Sequence, residues 1–291
     1  MNILSEIKTL AYMRSTWVCI FLLLAITLFL EYNSYNFCTQ KINQTKEINQ
    51  NILLDKSDNS EAMKEVKQNN ENISKITQGF NPENTINNSF VYMNTIGTII
   101  VSIVSILFIG IEYNKKTILT KICTTSLQKL VFRKICVMQI AIVTILFLYF
   151  IVHNISGRVF FSLISKQVND SVDSSIIINN NIEIVLLSYV RLSFYSMLFM
   201  LITCIFKGVA AGVITLTSIS FLSSYLQLEY LPYNIFNSFI SKFYHTNAVN
   251  TFSLTTSVDS SITFSGGICI IILYFVIILS AFRIVTKYQT N

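Results

Sequence analysis

The sequence predicts an all-α integral membrane protein with six transmembrane helices and both termini in the cytoplasm. Three observations carry this. Of the 291 residues, 52% are apolar and only 12% charged, against about 25% charged in a soluble domain. Mean hydropathy is +0.56. Long apolar runs recur along the chain, on the scale of the roughly 20 residues needed to cross a bilayer, and Lys and Arg segregate between the segments that join them.

The elements follow in order. In residues 1–15, Ile3, Leu4, Ile7, Leu10 and Ala11 form an apolar stripe with Glu6, Lys8 and Arg14 off it. That pattern predicts a helix lying along the inner membrane surface. Residues 16–291 then form the six-span domain. The runs are Trp17–Leu30, Tyr92–Ile111, Ile135–Val152, Ile184–Leu226 and Gly267–Val285. The fourth is too long for one crossing and is read as two spans, joined by a turn at Lys207. With both termini inside, the inner segments hold eleven Lys and Arg and two acids, Glu6 and Glu112. The outer segments hold nine basic residues and thirteen acids.

The longest outer segment, 33–91, has two apolar patterns at helical spacing: Ile42, Ile48, Ile52 and Leu53, then Met63, Val66, Asn70, Ile73 and Thr77. Asp58 with Glu61 marks a helix start, and Gly79 with Pro82 a stop. The expectation is an extracellular helical hairpin between spans 1 and 2, the alternative a solvated loop. Between spans 5 and 6, Leu231, Ile235, Phe236, Phe239, Ile240 and Phe243 share a helical face behind Pro232. A short interfacial helix is expected there, or a re-entrant segment.

The segment Gly110–Lys134 carries Lys115, Lys116, Lys121, Lys129, Arg133 and Lys134 against Glu112. Its charge places it in the cytoplasm. Thr117 is a candidate N-cap, and Ile118, Leu119 and Ile122 form an apolar face suited to docking a soluble partner. Glu112 has Lys115, Lys116 and the N-terminal helix as candidate partners.

Other chemistry is sparse. No GxxxxGK[ST] phosphate loop and no HExxH occurs, so no nucleotide, cofactor or metal site is expected on this chain. His153 and His245 have no acid or Cys beside them in sequence and read as interfacial polar residues. The Ser and Thr of the fifth span, from Thr215 to Ser224, lack a base and are expected to bond back to their helix or across to a neighbour. Arg191 is the charge inside a span, a possible intramembrane polar site with Glu31 as a candidate partner. Gly208 and Gly212 form a GxxxG suited to close helix packing, within the chain or with a second subunit. The single Cys in an outer segment, Cys38, excludes an outside disulfide within one chain. The basic charge follows membrane sidedness and is no nucleic-acid signal. Richness in Asn, Ile and Lys, with no Gly before Gly79, points to an AT-rich bacterial genome and so to a bacterial plasma membrane.

The order of inner helix, span, outer loop, span, basic helical loop and four spans resembles the membrane subunit of an ABC-2 type transporter. Glu112-Tyr113, Thr117 and the stretch ending in Lys129–Lys134 carry the local likeness. Lys116 stands where that family favours Gly, Thr124-Thr125-Ser126 near its usual Pro, and Lys129 in place of its common Arg. The resemblance implies that 112–134 is a coupling loop seated on a cytoplasmic ABC ATPase, through Glu112, Thr117, Ile118, Leu119, Ile122 and Lys129. ATP and Mg would be bound by that partner. A second permease chain, identical or related, and membrane lipid complete the expected assembly. The implied function is a permease of an ATP-driven exporter of peptide, lipid-like or drug-like cargo, of the bacteriocin immunity or export type. The alternative is a membrane sensor or scaffold, whose outer hairpin binds a ligand and whose basic loop signals.

Overall fold

The computed structural model describes residues 3–55, 60–124, 126–168, 181–225, 230–243 and 263–289. These form helices only: α1 (Ile3–Tyr12), α2 (Arg14–Asp55), α3 (Ser60–Gly79), α4 (Pro82–Tyr92), α5 (Thr98–Asn114), α6 (Thr117–Thr124), α7 (Leu127–Val168), α8 (Asn181–Phe206), α9 (Val209–Tyr225), α10 (Pro232–Phe243) and α11 (Phe264–Tyr288). A π-helical turn, Met93–Gly97, joins α4 to α5.

Among the described residues, five helical stretches are long and apolar enough to cross a membrane: Arg14–Leu54, Asn84–Asn114, Leu127–Val168, Ile182–Phe206 and Phe264–Tyr288. The expected fifth span is α9, at 17 residues about 25 Å long against a hydrocarbon core of roughly 30 Å. It falls in the shorter apolar class. The turn between α8 and α9 lies at Lys207, whose φ is 52°.

The chain runs up and down, and several contacts fix one common end. Gly110, near the end of α5, meets Val209 at the start of α9. Gln289, just past α11, bonds to the carbonyl of Cys204 on α8 and accepts from Tyr113 on α5. Neighbouring helices are stitched by polar side chains: Asn94 donates to Ser188 at 2.9 Å and Ser105 to Ser196 at 2.9 Å. Each such bond contributes about 0.6 kcal/mol in a membrane bundle. Thr215 and Thr217 bond back to Ala211 and Val213 of their own helix.

At the opposite end the expected hairpin is present. Helices α2 and α7 each run for 42 residues, about 63 Å, so roughly half of each extends past one hydrocarbon thickness. Helix α3 folds back on both. Ile42, Ile73 and Ile164 form its core, and Asn49 is held between Asn69 and Asn70. The inward stripe of α3 is Ala62, Val66, Asn69, Ile73 and Thr77; Met63 of the expected stripe points out, and Asn70 lies at the edge of the seam, where it accepts from Asn49. On α2, Cys38, Ile42 and Asn49 face in, whereas Ile48 and Leu53 are exposed. The sequence pattern located the helices and put Ile42, Val66, Ile73 and Thr77 on their inner faces, but took Ile48 for Asn49 and Met63 for Ala62. With few large apolar residues, Asn and Thr help fill the seam.

Helix α10 is present but does not lie on a surface. Every residue from Asn234 to Ile240 is buried, the polar Asn234, Asn237 and Ser238 included. It is wedged against α8 and α11, with Phe239 packed over Gly267. The side chain of Phe243 and all of His245 lie outside the described residues.

A charge cluster at the helix α6 end

The candidate site grows from α1 and α6. Helix α1 ends in an elbow, where the N–H of Met13 bonds to Leu10 O and Trp17 Nε1 to Ala11 O. This turns the chain into α2. The buried face of α1 contains Glu6 and Leu10, while Ile3 and Leu4 of the expected apolar stripe are exposed. A carboxylate turned inward needs partners, because burying it alone is costly.

Its partners come from α6 and α7. Lys121 Nζ is 3.1 Å from Glu6 Oε1, and Lys134 Nζ is 3.0 Å from Glu6 Oε2. Both ammoniums also reach Glu112 Oε1 at the end of α5, Lys134 at 2.9 Å. Lys134 further donates to the carbonyl of Phe108 and lies 3.8 Å from the centre of that ring. Two carboxylates and two ammoniums balance. Glu6, Glu112 and Lys134 are buried, and four elements meet at this point.

Burial opposes the charge on Glu6, but Lys134 and Lys121 outweigh it and hold its pKa below the ordinary 4.5. Burial likewise opposes the charge on Lys121. Glu112, then Glu6, outweigh it and raise its pKa above 10.5. Glu6 and Lys121 are therefore ionised at neutral pH.

The residues singled out in the loop divide. Glu112 joins the cluster through Lys121 and Lys134, instead of Lys115 or Lys116, which are exposed in the turn before α6. Lys116 has φ of 55° there, the left-handed region that favours glycine. Thr117 is the first residue of α6, and its hydroxyl donates to Glu112 O, so it does not act as an N-cap. Ile118 is buried and Ile122 packs half-buried on the core. That apolar edge of α6 holds the helix to the bundle and is not an open docking face. Lys129 is exposed. The side chain of Leu119 lies outside the described residues.

The other sites also resolve. Glu31 is not the partner of Arg191. Its Oε1 lies 2.6 Å from His153 Nδ1, its Oε2 accepts from Ser156, and His153 Nε2 lies 3.1 Å from Thr27. His153 is thus a buried partner of an acid, not an interfacial residue. Thr27 and Glu31 share one face of α2, and His153 and Ser156 one face of α7, which lets the four side chains meet. Arg191 Nη1 donates instead to Asn237 on α10 at 2.8 Å. Of the two glycines, Gly212 is the close-packed one: a Cβ there would sit 2.7 Å from Ile106 on α5. At Gly208 the nearest atom is 3.7 Å away. The close contact is within the chain.

An apolar groove of about 470 Å³ lies between α7 and α8, lined by Val143, Phe147, Phe150, Ile182, Leu186 and Tyr189 among others. No protein-family model matches the chain, and no curated protein or solved structure matches it.

Proposed function

We propose that this chain is the transmembrane permease subunit of an ABC-2 type exporter in a bacterial plasma membrane. Six helices cross the bilayer, α9 as the short fifth span, with α1, α6 and both termini cytoplasmic and the α2–α3 hairpin outside. Two permease chains, identical or related, sit on two ABC ATPase subunits that bind ATP and Mg. The cargo is an amphipathic peptide, lipid-like or drug-like molecule, for which the apolar groove between α7 and α8 is a candidate contact.

The observation that carries this reading is the buried cluster of Glu6, Glu112, Lys121 and Lys134. It ties the eight-residue helix α6 to the surface helix α1 and to the ends of α5 and α7. A push on α6 is then delivered to several spans together, because buried ion pairs resist separation. The exposed side chains Lys115, Lys116, Thr117 and Lys129 take the place of the buried Ile118 as the contact with the ATPase.

The test is co-reconstitution in lipid vesicles with ABC ATPases from the source cell. ATP hydrolysis that depends on this chain, and falls when Lys115, Lys116 and Lys129 are changed to Glu, is expected. Failure to form a complex with any of those ATPases sinks the proposal. A second reading, a membrane sensor, draws on exposed Leu53, Leu54 and Met63 where α2 meets α3. It predicts a partner at the basic loop that does not hydrolyse ATP.

A further inference from the structure

Arg191 is placed unlike the other buried charges of the protein. It lies within the membrane-crossing stretch Ile182–Phe206 and is 1% exposed. Glu6 and Glu112 face two ammoniums, and Glu31 faces His153. Arg191 forms no ion pair among the described residues. Its acceptor is the neutral side-chain amide of Asn237, at 2.8 Å. Its Nε, also buried, has no hydrogen-bond partner among the described residues.

The surroundings are those of a cation cradle. Tyr233, Phe236 and Asn237 share one face of α10. The rings of Tyr233 and Phe236 lie 5.5 and 5.9 Å from the guanidinium carbon. A guanidinium offers five N–H donors in a planar fork, and that fork matches a carboxylate or phosphate with two parallel bonds. An amide oxygen neutralises none of the charge. An uncompensated charge at this depth is costly and marks a functional position by default.

We propose that Arg191, with Tyr233, Phe236 and Asn237, is a binding site for one anionic oxygen group, a carboxylate or a phosphate. The incoming anion displaces Asn237 from the guanidinium and takes up the unused Nε–H. The anion adds charge neutralisation and a second bond to a guanidinium that otherwise holds one amide oxygen. Helix α10, at 12 residues too short to span, is the cover that shifts to admit it. This site is independent of the exporter reading, since it involves neither α6 nor an ATPase.

The shared chemistry has two sources, a lipid headgroup or a free anion, and the experiment separates them. The full chain is placed in phosphatidylcholine nanodiscs and its thermal unfolding is followed with added phosphatidylglycerol, or with inorganic phosphate. A rise in the midpoint with either probe is expected, phosphatidylglycerol alone identifying a headgroup and phosphate alone a soluble anion. Arg191→Gln should weaken the response by roughly tenfold or more, the loss expected of a charged hydrogen bond, with Arg191→Lys in between. Asn237→Asp supplies the missing carboxylate from within. It should raise the midpoint without ligand and abolish the response. If neither probe moves the wild-type midpoint, or if Asn237→Asp responds as the wild type does, Arg191 is only a clamp between α8 and α10 and the proposal fails. Should Arg191→Gln not fold, the comparison of Asn237→Asp with wild type still decides.

Discussion

Lys134 Nζ, on α7, lies 3.0 Å from Glu6 Oε2, on α1, with Glu112 Oε1 2.9 Å away. The lysine that opens the third span thus closes a cluster reaching back to the first residues of the chain. The contact fixes a surface helix to the bundle where the basic loop emerges.

Removing one charge from this cluster leaves another buried and unbalanced. Glu6→Gln is expected to destabilise the protein by on the order of 3 kcal/mol. Adding Lys134→Met should recover part of that loss. Thermal unfolding of the wild type, both single variants and the double variant gives the coupling energy, expected to be about 1 kcal/mol or more. A coupling of zero would show that the two side chains do not interact.

The pH dependence follows from the shifted groups. The pKa of Glu6 is lower in the folded state, so its contribution is present above about pH 4.5 and is lost as pH falls through the folded value. The pKa of Lys121 is higher in the folded state, so its contribution is present below about pH 10.5 and is lost as pH rises through the folded value. Protection of α1 from proteolysis should be flat across neutral pH and fall at both extremes. A steep change near pH 7 would contradict the assignment.

The glycines offer a matched comparison. A Cβ at Gly110 would meet Val209 Cγ2 at 2.5 Å, and one at Gly212 would meet Ile106 Cγ2 at 2.7 Å, while Gly208 has room. Gly110→Ala and Gly212→Ala should each destabilise by roughly 1–3 kcal/mol, the cost of overpacking. Gly208→Ala should change stability by less than about 0.5 kcal/mol. Equal losses at all three positions would refute the packing of α5 against α9.

Helix α6 separates folding from docking. Ile118→Asp puts a charge into the core and should sharply reduce the amount of folded protein in the membrane. Lys129→Glu, at an exposed position, should leave that amount unchanged and act only on partner binding. Quantitative membrane blots and size-exclusion profiles distinguish the two.

Much of the architecture was legible from local pattern. Hydropathy located the long helices and the turn at Lys207, and helical spacing located the hairpin and α10. These signals lie within single segments, where period and composition suffice. The pairings were not legible. Glu6 with Lys134, Glu31 with His153 and Arg191 with Asn237 each join side chains distant in sequence, and no periodicity encodes which helix faces which. The inward turn of Ile118 escaped for a related reason. An amphipathic helix shows that one face is apolar without showing what that face meets.

The central claim is that the basic loop around α6 receives a soluble ATPase. Its most direct test replaces Lys129, and separately Thr117, with a photo-crosslinking amino acid in the full chain, in membranes of the source cell. The crosslinked protein is then identified by mass spectrometry. The expected product at both positions is an ABC ATPase carrying a phosphate-binding loop. Crosslinks only to lipid, or to a protein without a nucleotide-binding domain, would contradict the account.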